Sequence, residues 1–453
     1  MKTRPPLPEG PFLVVGLARS GAAVAHLLAG RGHEVRGVDS ASPEEAQRLG
    51  DSGVEVLLDV PVEQQPTHVE GVKVVIKSPG VPSDAPVFAA ARERGIPVLG
   101  ELEVAWRAIP NTFCAVTGTN GKTTTVELLG HLFRTAGEPV TVAGNVGTPL
   151  ASLAGHLDPE ATVVCECSSF QLEDSEAFAP ECAVLLNVTP DHLDRHGDFD
   201  SYLEAKLRLF ANQGNDDVAI YPPDEPLLAG RDLGGCARRV AFCAAGPGDD
   251  CELTLREGVI FHGDEALVAE DELQLLGPHN VANAMAAAAA ALSMGLDADA
   301  VRAGLRDFGA IPHRLERVAE RSGVLFVNDS KATNPAAAAA AIRSFDRGVH
   351  AILGGSVKGG TFEELVDPVA ERCRAVYLLG EAAPQLEADL APVTARGIDV
   401  RRCAGLEDAV TVAASAAQSG DVVLLAPACA SFDQYKDFEE RGDHFRRIVE
   451  GLG

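Results

Sequence analysis

The segment FCAVTGTNGKTTTVELLGHLFRTAG, residues 113–137, decides the fold class of this chain. It begins as a short apolar run, turns on Gly118 and Gly121, and continues from Lys122 in a helical pattern. Glycines let the backbone approach an anion, and the N–H groups at a helix start bind that anion together with a lysine. The segment therefore predicts a phosphate-binding loop between a strand and a helix.

The residues of this loop predict a nucleoside triphosphate and a metal ion. Thr123 follows the lysine, and a hydroxyl in that position is a magnesium ligand in phosphate-binding loops. The match to G-x-x-x-x-G-K-[ST] is incomplete, because Val116 stands where the pattern has its first glycine. An ordinary turn before a helix is the alternative. We expect ATP and Mg2+ as cofactors.

The composition argues against some classes of partner. The chain has 453 residues, with 38 basic and 66 acidic side chains and a formal net charge of −28. This charge argues against nucleic acid or an anionic membrane as a general partner. The first residues lack a secretory pattern, and no stretch approaches the ~20 apolar residues of a membrane span. We therefore expect a cytoplasmic protein without membrane insertion.

The cysteines predict neither disulfides nor a zinc site. Ten are present, mostly single in apolar runs and without a C-x-x-C pair. This distribution is typical of reduced cysteines in the core of a cytosolic protein.

Strand-like and helical patterns alternate along the chain, which is typical of an α/β fold with mainly parallel sheets. The length suggests about three domains of roughly 150 residues each. We predict a Rossmann-like N-terminal domain over residues 1–110, a central P-loop-type domain with a mainly parallel sheet over 111–311, and a Rossmann-like C-terminal domain over 312–453.

The first predicted domain carries an altered dinucleotide fingerprint. The turn from Gly16 to Gly21 resembles G-x-G-x-x-G, and Asp39 follows the second strand. Ala18 replaces the middle glycine, and its methyl group would crowd a pyrophosphate that lies close to the backbone. NAD is therefore disfavoured, which leaves a nucleotide held in another way or a purely structural turn.

Several side chains of the central domain could take part in chemistry. Glu166 ends a strand, where it could hold magnesium or be a solvated acid. His192 and His196 are four residues apart, but Leu193 replaces the glutamate of H-E-x-x-H, so zinc hydrolysis is disfavoured. Lys206 lies at the edge of an apolar helical stripe, and this pattern alone favours an ammonium group that reaches water.

Two asparagines of the central domain are candidates for nucleotide contacts. Asn280 and Asn283 are one helical turn apart and could face the same ligand. A helix cap explains one of them equally well.

Three loops of the C-terminal domain each follow a predicted strand. They contain the segments NDSKATNP (328–335), GGSVKGGTF (354–362) and APACASFDQYKDFEERG (426–442). Their lysines and hydroxyls together would suit a small dicarboxylate. Taken singly, each of them could be an ordinary loop.

The order of these motifs resembles that of a known family. The series is GTNGKTT, Glu166 with SSFQLE, NVTPDHLDRHG, YLEAKLRLF, GPHN, PHR and NDSKATN, and it spans nearly the whole chain. It is similar to the Mur ligases, the ATP-dependent amide-forming enzymes of peptidoglycan precursor synthesis. The segments NDSKATNP and ACASFDQYKDFEERG most resemble the branch that adds D-glutamate. The D-N-P-R loop expected of the ligase for a diamino acid is absent.

The resemblance implies roles for residues of this sequence. The ATP contacts would be Gly118, Thr119, Asn120, Gly121, Lys122, Thr123, Thr124, Asn280, Asn283, Arg314 and Asp329. The uridine diphosphate contacts would be Arg19, Ser20, Asp39, Ser40, Ser78 and Asn145. The D-glutamate contacts would be Thr333, Lys358, Ser431 and Phe438. The metal ligands would be Thr123, Glu166, His192 and Lys206, the last carbamylated by CO2. The catalytic group would be Lys122, His192, Lys206 and Lys331.

The implied partners are ATP, UDP-N-acetylmuramoyl-L-alanine and D-glutamate, and the implied protein is a monomer. The reaction would form an acyl phosphate on the L-alanine carboxylate and then an amide. Two alternatives remain from the sequence. One is another Mur-type or folylpolyglutamate ligase, and the other is a nucleotide-binding regulator without catalysis.

Overall fold

Three β-sheets, each with helices packed on it, follow one another along the chain. The computed structural model describes residues 2–244, 251–275, 277–309, 312–357 and 361–452. The chain divides into two compact units, Met1–Glu272 with Ala282–Arg306 and Leu273–Val281 with Asp307–Gly453. The first unit contains the first two sheets, and the second contains the third. The predicted three-domain α/β fold is confirmed.

The N-terminal sheet is formed by five short strands. These are β1 (Phe12–Val15), β2 (Val35–Val38), β3 (Glu55–Leu57), β4 (Val74–Lys77) and β5 (Val98–Gly100), with helices α1 (Arg19–Gly30), α2 (Glu44–Gln47), α3 (Pro86–Glu93) and α4 (Glu101–Ala108). All pairs are parallel, in the order β3-β2-β1-β4-β5. All four residues of β1 are buried, as expected of a central strand covered on both faces.

The central sheet has nine strands. They are β6 (Phe113–Thr117), β7 (Val140–Gly144), β8 (Thr162–Glu166), β9 (Cys182–Leu185), β10 (Val218–Tyr221), β11 (Arg238–Cys243), β12 (Leu253–Arg256), β13 (Val259–His262) and β14 (Glu265–Ala269). Their order is β14-β13-β12-β11-β10-β9-β6-β8-β7. In this spatial order, every pair between β12 and β7 is parallel, whereas the pairs β12-β13 and β13-β14 at the other edge are antiparallel.

Six helices of the middle segment follow. They are α5 (Lys122–Thr135), α6 (Ser169–Leu172), α7 (Leu193–His196), α8 (Phe199–Ala211), α9 (Pro278–Ser293) and α10 (Ala298–Asp307). Local sequence fixes two of these helix starts. The Asp198 side chain caps α8 by accepting from Ser201 N at 2.8 Å, and Ser168 with Gln171 forms a reciprocal capping box on α6.

The third sheet has six strands. They are β15 (Glu316–Arg321), β16 (Val324–Asn328), β17 (Val349–Gly354), β18 (Cys373–Leu379), β19 (Asp399–Arg402) and β20 (Val422–Leu425), with helices α11 (Pro335–Arg343), α12 (Val366–Arg372), α13 (Ala383–Asp389), α14 (Ala391–Thr394), α15 (Leu406–Ala416) and α16 (Phe438–Gly451). The order is β15-β16-β20-β17-β18-β19, parallel except at the edge strand β15. Asn334 caps α11 and Pro335 begins it, as the sequence predicts.

The cysteine prediction is wrong at one pair. Cys243 at the end of β11 is disulfide-bonded to Cys251, just before β12. The end of β11 lies beside the start of β12, with Phe242 paired to Leu253 and Cys243 to Thr254, so Cys251 lies close to the end of β11. Spacing along the chain did not reveal this contact. Of the eight free cysteines, five are buried and Cys236 is exposed. In the described part of the chain, no helix is long and apolar enough to cross a membrane.

A buried carboxylate joins the first two sheets of the first unit. Glu103 on α4 has a fully buried side chain, and it accepts hydrogen bonds from the backbone amides of Glu176, Ala177 and Phe178 at 3.0, 3.1 and 3.0 Å. Arg107 adds a fourth bond at 2.7 Å. A carboxylate satisfied in this way fixes the segment 176–178, because removing it would leave three backbone amides without their acceptor and take one of two carboxylate partners from Arg107.

We expect Glu103→Ala to destabilise the first unit by about 3–5 kcal/mol, the range for breaking a buried charged pair. Glu176→Ala is a matched control, because that side chain also contacts Arg107 but is 68% exposed, and it should change stability by about 0–1 kcal/mol. Denaturant titration followed by tryptophan fluorescence measures both, since Trp106 is the only tryptophan and lies 5.7 Å from the Phe178 ring. Equal midpoints for the two variants would contradict the prediction.

Candidate active site

The predicted phosphate loop connects β6 to α5. Gly118 has φ of 156° and Gly121 has φ of 84°, conformations that favour glycine. A methyl group on Gly121 would also overlap the side-chain amide of Asn283. Glycine is therefore required at this turn, and Asn283 lies directly against the loop, as expected if both contact one ligand.

Two lysines converge on the carbonyl oxygen of Gly118. Lys122 Nζ donates to it at 2.9 Å and to the Thr119 carbonyl at 2.8 Å, and Lys206 Nζ donates to it at 2.8 Å. Lys206 is 1% exposed. Because two ammonium groups meet here at one neutral acceptor, the site favours an anion.

The interpretation of Lys206 as a lysine that reaches water is wrong. Its amine is buried against the loop, and it also lies 4.5 Å from the centre of the Tyr202 ring. Burial, followed by the charge of Lys122, lowers the pKa of Lys206 well below its usual value. The apolar stripe of α8 indicated that Lys206 lies at the edge of the buried helix face. It could not show that the loop after β6 covers this edge.

The carboxylate of Glu166 is held at both oxygens. Thr123 Oγ1 donates to Oε2 at 2.7 Å, and Asn145 Nδ2 donates to Oε1 at 3.0 Å. Glu166 is 2% exposed, which excludes the solvated-acid alternative. The structure thus brings the predicted metal residues Thr123 and Glu166 together, and it adds Asn145, which the sequence had suggested for another ligand.

Two other loop residues, Thr119 and Asn120, are fixed by the segment that follows β9 and by Tyr202 on α8. Thr119 Oγ1 lies 3.0 Å from the Tyr202 hydroxyl and accepts from Thr189 N at 3.0 Å. Asn120 N donates to the side-chain oxygen of Asn187 at 2.9 Å. Thr124 is buried in the first turn of α5. The loop is therefore preorganised by Asn187, whose position after a strand placed it at this edge of the sheet, and by Tyr202, which sequence reasoning did not select.

His192 immediately precedes the four-residue helix α7, and its ring is exposed. The ring lies 3.6 Å from the Asp191 carboxylate and 4.9 Å from the centre of the Phe170 ring. His196 is instead buried, with Nε2 3.0 Å from Ser169 Oγ. Among the residues that the structure describes, no group of three or more His, Cys, Asp or Glu side chains is arranged to hold a metal ion. The exposed His192 is therefore the more accessible of the two histidines.

A cavity of about 480 Å³ opens at the carboxyl ends of β1, β2 and β4. Asp39, Ser40 and Ser78 line it, so three of the predicted uridine nucleotide residues are brought together. Leu17 N and Ala41 N already donate to the two oxygens of Asp39, at 2.6 and 2.9 Å. Asp39 therefore fixes the loops around the cavity.

Two predicted residues of the same group are on α1 instead. Arg19 and Ser20 form its first turn and are not among the residues that line the cavity. Arg19 Nη1 is 3.4 Å from the Gly147 carbonyl in the central domain.

The three predicted amino-acid loops follow β16, β17 and β20, which are neighbours in the third sheet. Ser330 Oγ donates to the Phe438 carbonyl at 2.8 Å, and Lys331 Nζ lies 5.4 Å from the centre of the Phe438 ring. Ser431 is buried in the loop after β20, and Thr333 N donates to the Lys331 carbonyl at 2.8 Å. Lys358 lies outside the described residues.

Arg441 joins these loops and was missed by the sequence reasoning. Its guanidinium is fully buried and donates to Ser330 Oγ and O at 2.9 Å, and to the carbonyls of Cys429, Ala430 and Gly354 at 3.1, 3.2 and 3.5 Å. Burial lowers the pKa of Arg441 to about 10. The available signal was its position on α16, where it shares a helical stripe with the apolar Phe445 and Val449.

Asp329 lies at the end of β16, and its side chain accepts from Leu315 N at 3.2 Å. Burial raises the pKa of Asp329 to about 6, although the nearby charge of Arg314 favours the ionised form. Both predicted residues therefore interact within the second unit. Asn280 is buried at the start of α9 in the same unit.

We expect Asp329→Asn to change the pH dependence of stability in the second unit. The folded carboxyl keeps its proton up to about pH 6 and the unfolded carboxyl only to about 3.8, so this contribution is present below pH 4 and lost as pH rises through 6. Asparagine cannot ionise. The unfolding free energy of the variant relative to wild type should rise by on the order of 2–3 kcal/mol between pH 4 and 7.

Denaturant titrations at several pH values measure this difference. Asp346→Asn, at an exposed position of the same unit, is the control and should follow the wild type at every pH. Parallel curves for Asp329→Asn and wild type would rule out the raised pKa.

Three family models match successive parts of the chain. They are the Mur ligase MurD-like N-terminal domain over residues 11–100, the Mur ligase middle domain over 116–291 and the Mur ligase glutamate ligase domain over 313–429. The chain is 42% identical to UDP-N-acetylmuramoylalanine--D-glutamate ligase of Pelotomaculum thermopropionicum and 42% identical to that of Salinibacter ruber, over 97% of both chains in each case.

Solved structures agree in fold. UDP-N-acetylmuramate-alanine ligase MurC from Thermotoga maritima aligns with a TM-score of 0.61 and 20% identity, over 98% of this chain and 100% of that one. MurF ligase from Thermotoga maritima in complex with ADP aligns with a TM-score of 0.59 and 19% identity, over 93% and 96%.

Proposed function

Because the chain belongs to the Mur ligase family, we propose that it is an ATP-dependent ligase that adds D-glutamate to UDP-N-acetylmuramoyl-L-alanine in peptidoglycan precursor synthesis. The name shared by its full-length relatives supports this substrate assignment. The observation that carries the chemical part of the proposal is the convergence of Lys122 and Lys206 on the loop carbonyl of Gly118. An anionic reaction centre at this loop would account for both cations.

The donor set around the loop supports a magnesium–ATP complex. Thr123 and Glu166 present a hydroxyl and a carboxylate, the hard oxygen ligands that Mg2+ prefers. When bound, Mg2+ would neutralise phosphate charge and polarise the γ-phosphoryl group. Lys122 would lie beside the phosphates, and Asn283 beside the glycine turn. His192 is our proposal for a further ligand, because its ring is exposed and it lies in the segment that follows β9, the strand paired with β6.

The environment of Lys206 supports a carbamate. A neutral amine is needed to attack CO2, and burial lowers the pKa of Lys206 well below its usual value. The neutral nitrogen forms a bond to the carbon of CO2, one C=O electron pair moves onto oxygen and the nitrogen loses one proton, so an uncharged amine becomes an anionic carbamate. This change would reduce the repulsion between Lys206 and Lys122 and supply a further oxygen ligand for Mg2+.

The first and third sheets would bind the two substrates. The cavity with Asp39, Ser40 and Ser78 supports a uridine nucleotide at the N-terminal sheet, and Arg19, Ser20 and Asn145 are proposed contacts around it. For D-glutamate we propose the loops joined by Arg441, with Thr333, Ser431, Phe438 and Lys358 as contacts. Lys331 would face the reacting groups, while Asn280, Arg314 and Asp329 would contact ATP. The domain boundaries at residues 110 and 311 belong to the same proposal.

The proposed reaction proceeds in two steps. The L-alanine carboxylate attacks the γ-phosphorus of ATP, ADP leaves, and an acyl phosphate forms. The amine of D-glutamate then attacks the acyl carbon, phosphate leaves, and the nitrogen gives up a proton. Lys122 offsets the repulsion between carboxylate and triphosphate in the first step. We further propose that the protein acts as a cytoplasmic monomer without membrane insertion.

Phosphate release from ATP tests the proposed function. With UDP-N-acetylmuramoyl-L-alanine and magnesium present, we expect turnover with D-glutamate and none with L-glutamate or a diamino acid. Turnover with pteroate in place of the muramoyl substrate would favour a folate ligase, and no turnover with any acceptor would favour a nucleotide-binding regulator. Lys122→Ala is the control for background hydrolysis, because it removes the ammonium group at the loop.

Loss of Lys206 should abolish turnover. We expect Lys206→Ala and Lys206→Arg to reduce kcat by at least about 10³-fold, the scale for removing an essential electrostatic group, with no rescue by bicarbonate. Carbon-13 NMR of protein equilibrated with labelled CO2 gives a second measurement, because a carbamate signal should appear in wild type and in Lys331→Ala but in neither Lys206 variant. Normal turnover of Lys206→Ala would contradict the carbamate.

A further inference from the structure

We propose that Arg195 is a positioning residue that couples the nucleotide cavity of the N-terminal sheet to α7, and through α7 to His192. This inference rests on the proposed function, because it assigns the cavity to the uridine nucleotide and His192 to the reaction centre. Residues 78–82 form one wall of this cavity, the cavity wall. It includes Ser78, Gly80, Val81 and Pro82, which line the cavity.

Arg195 holds the cavity wall by its backbone. Its Nη2 donates to the carbonyls of Pro79 at 2.8 Å and Val81 at 2.7 Å. Both bonds are charge-assisted, which makes them stronger than neutral ones. The Val81 side chain in turn packs against the turn after β1, because a Cβ on Gly16 would lie 2.6 Å from Val81 Cγ2. Arg195 thus helps to fix the position of the cavity wall relative to the turn that begins at Gly16.

The Arg195 guanidinium also contacts an aromatic ring of the central domain. The Arg195 guanidinium carbon lies 4.1 Å from the centre of the Phe170 ring, close enough for a cation–π interaction. The His196 ring stacks on the same phenylalanine at 5.2 Å with an interplanar angle of 4°. Phe170 therefore fixes two neighbouring residues of α7 at once.

The short length of α7 makes this coupling direct. The helix has four residues, and the amides of Arg195 and His196 both donate to the His192 carbonyl at 3.0 Å. A displacement of Arg195 therefore moves the backbone of His192, without a flexible segment between them. His192 itself has a positive φ of 52°, a conformation that a non-glycine residue adopts only when its surroundings hold it.

A second contact fixes the strand that leads into the cavity wall. Lys77, fully buried at the end of β4, donates to Asp174 at 2.6 Å and to Ser83 at 2.6 Å. Its amine also lies 3.3 Å from Glu173, which is 3.6 Å from the His196 ring. Lys77 and Ser83 flank the cavity wall, so this contact anchors its two ends. In the described part of the chain, the side-chain hydrogen bonds to the backbone of the wall itself come from Arg195, at Pro79 and Val81. Arg195 is therefore the direct link through which a ligand at the cavity wall can act on α7, whereas Lys77 reaches α7 through Glu173 and His196.

Kinetics test the positioning role. We expect Arg195→Ala to lower kcat by about 10²-fold, the scale for a misplacement of about 1 Å at a catalytic group, and to raise the KM for the uridine substrate by about tenfold. The KM for D-glutamate should stay unchanged. Arg195→Lys, which keeps one donor group, should recover part of kcat. Arg208→Ala is the matched control, because Arg208 donates to the Ser175 carbonyl of the central domain and not to the cavity wall.

Hydrogen exchange of the full chain with UDP as the probe separates coupling from simple structural support. In wild type, UDP should slow exchange at residues 78–82 and also at 193–197. In Arg195→Ala, slowing should persist at 78–82 and disappear at 193–197. Slowing at 193–197 that persists in the variant, or that is absent from wild type although UDP binds, would overturn the inference. Failure of UDP to bind wild type in calorimetry would instead overturn the proposed nucleotide site.

Discussion

The meeting of two ammonium groups at the Gly118 carbonyl is the interaction on which the site depends. Lys122 comes from α5 and Lys206 from α8, so two helices on different parts of the sheet direct their charges to one loop. Like charges bonded to one oxygen repel each other, and burial further penalises the charged form of Lys206. Such an arrangement is stable only if one amine gives up its charge or an anion lies between them. The proposed carbamate and the proposed triphosphate satisfy this requirement in complementary ways.

Much of the fold followed from sequence periodicity, because buried parallel strands and amphipathic helices leave clear patterns. The loop after β6 was predicted with its glycines, and the end of β8 was predicted to carry Glu166. The antiparallel strands β12–β14 and the edge strand β15 were not predicted, because short hairpins on a parallel sheet depend on tertiary packing rather than on local pattern. The disulfide between Cys243 and Cys251 was also not predicted, because a count of cysteines does not show that β12 begins beside the end of β11.

The site was predicted less completely than the fold. Lys122 and Thr123 could be assigned to a ligand because they lie at fixed positions of a phosphate-binding motif, where the loop backbone determines which way their side chains point. The roles of Asn145 and Arg441 depend on partners that are distant in the chain, and a single sequence gives no measure of such contacts. Lys206 shows the same limit, because the helix pattern gave its face but not the loop that covers it. The family resemblance supplied what periodicity could not.

The hydrogen bonds of Arg441 bear on how the loops after β16, β17 and β20 could diversify. Apart from the hydroxyl of Ser330, every acceptor of its guanidinium is a main-chain oxygen. The shape of the three loops is therefore set by backbone geometry and is independent of the side chains that those loops present. Side chains of the proposed D-glutamate site could therefore be exchanged while the backbone contacts of Arg441 are kept, so a new amino-acid preference could arise by a few substitutions without a new fold.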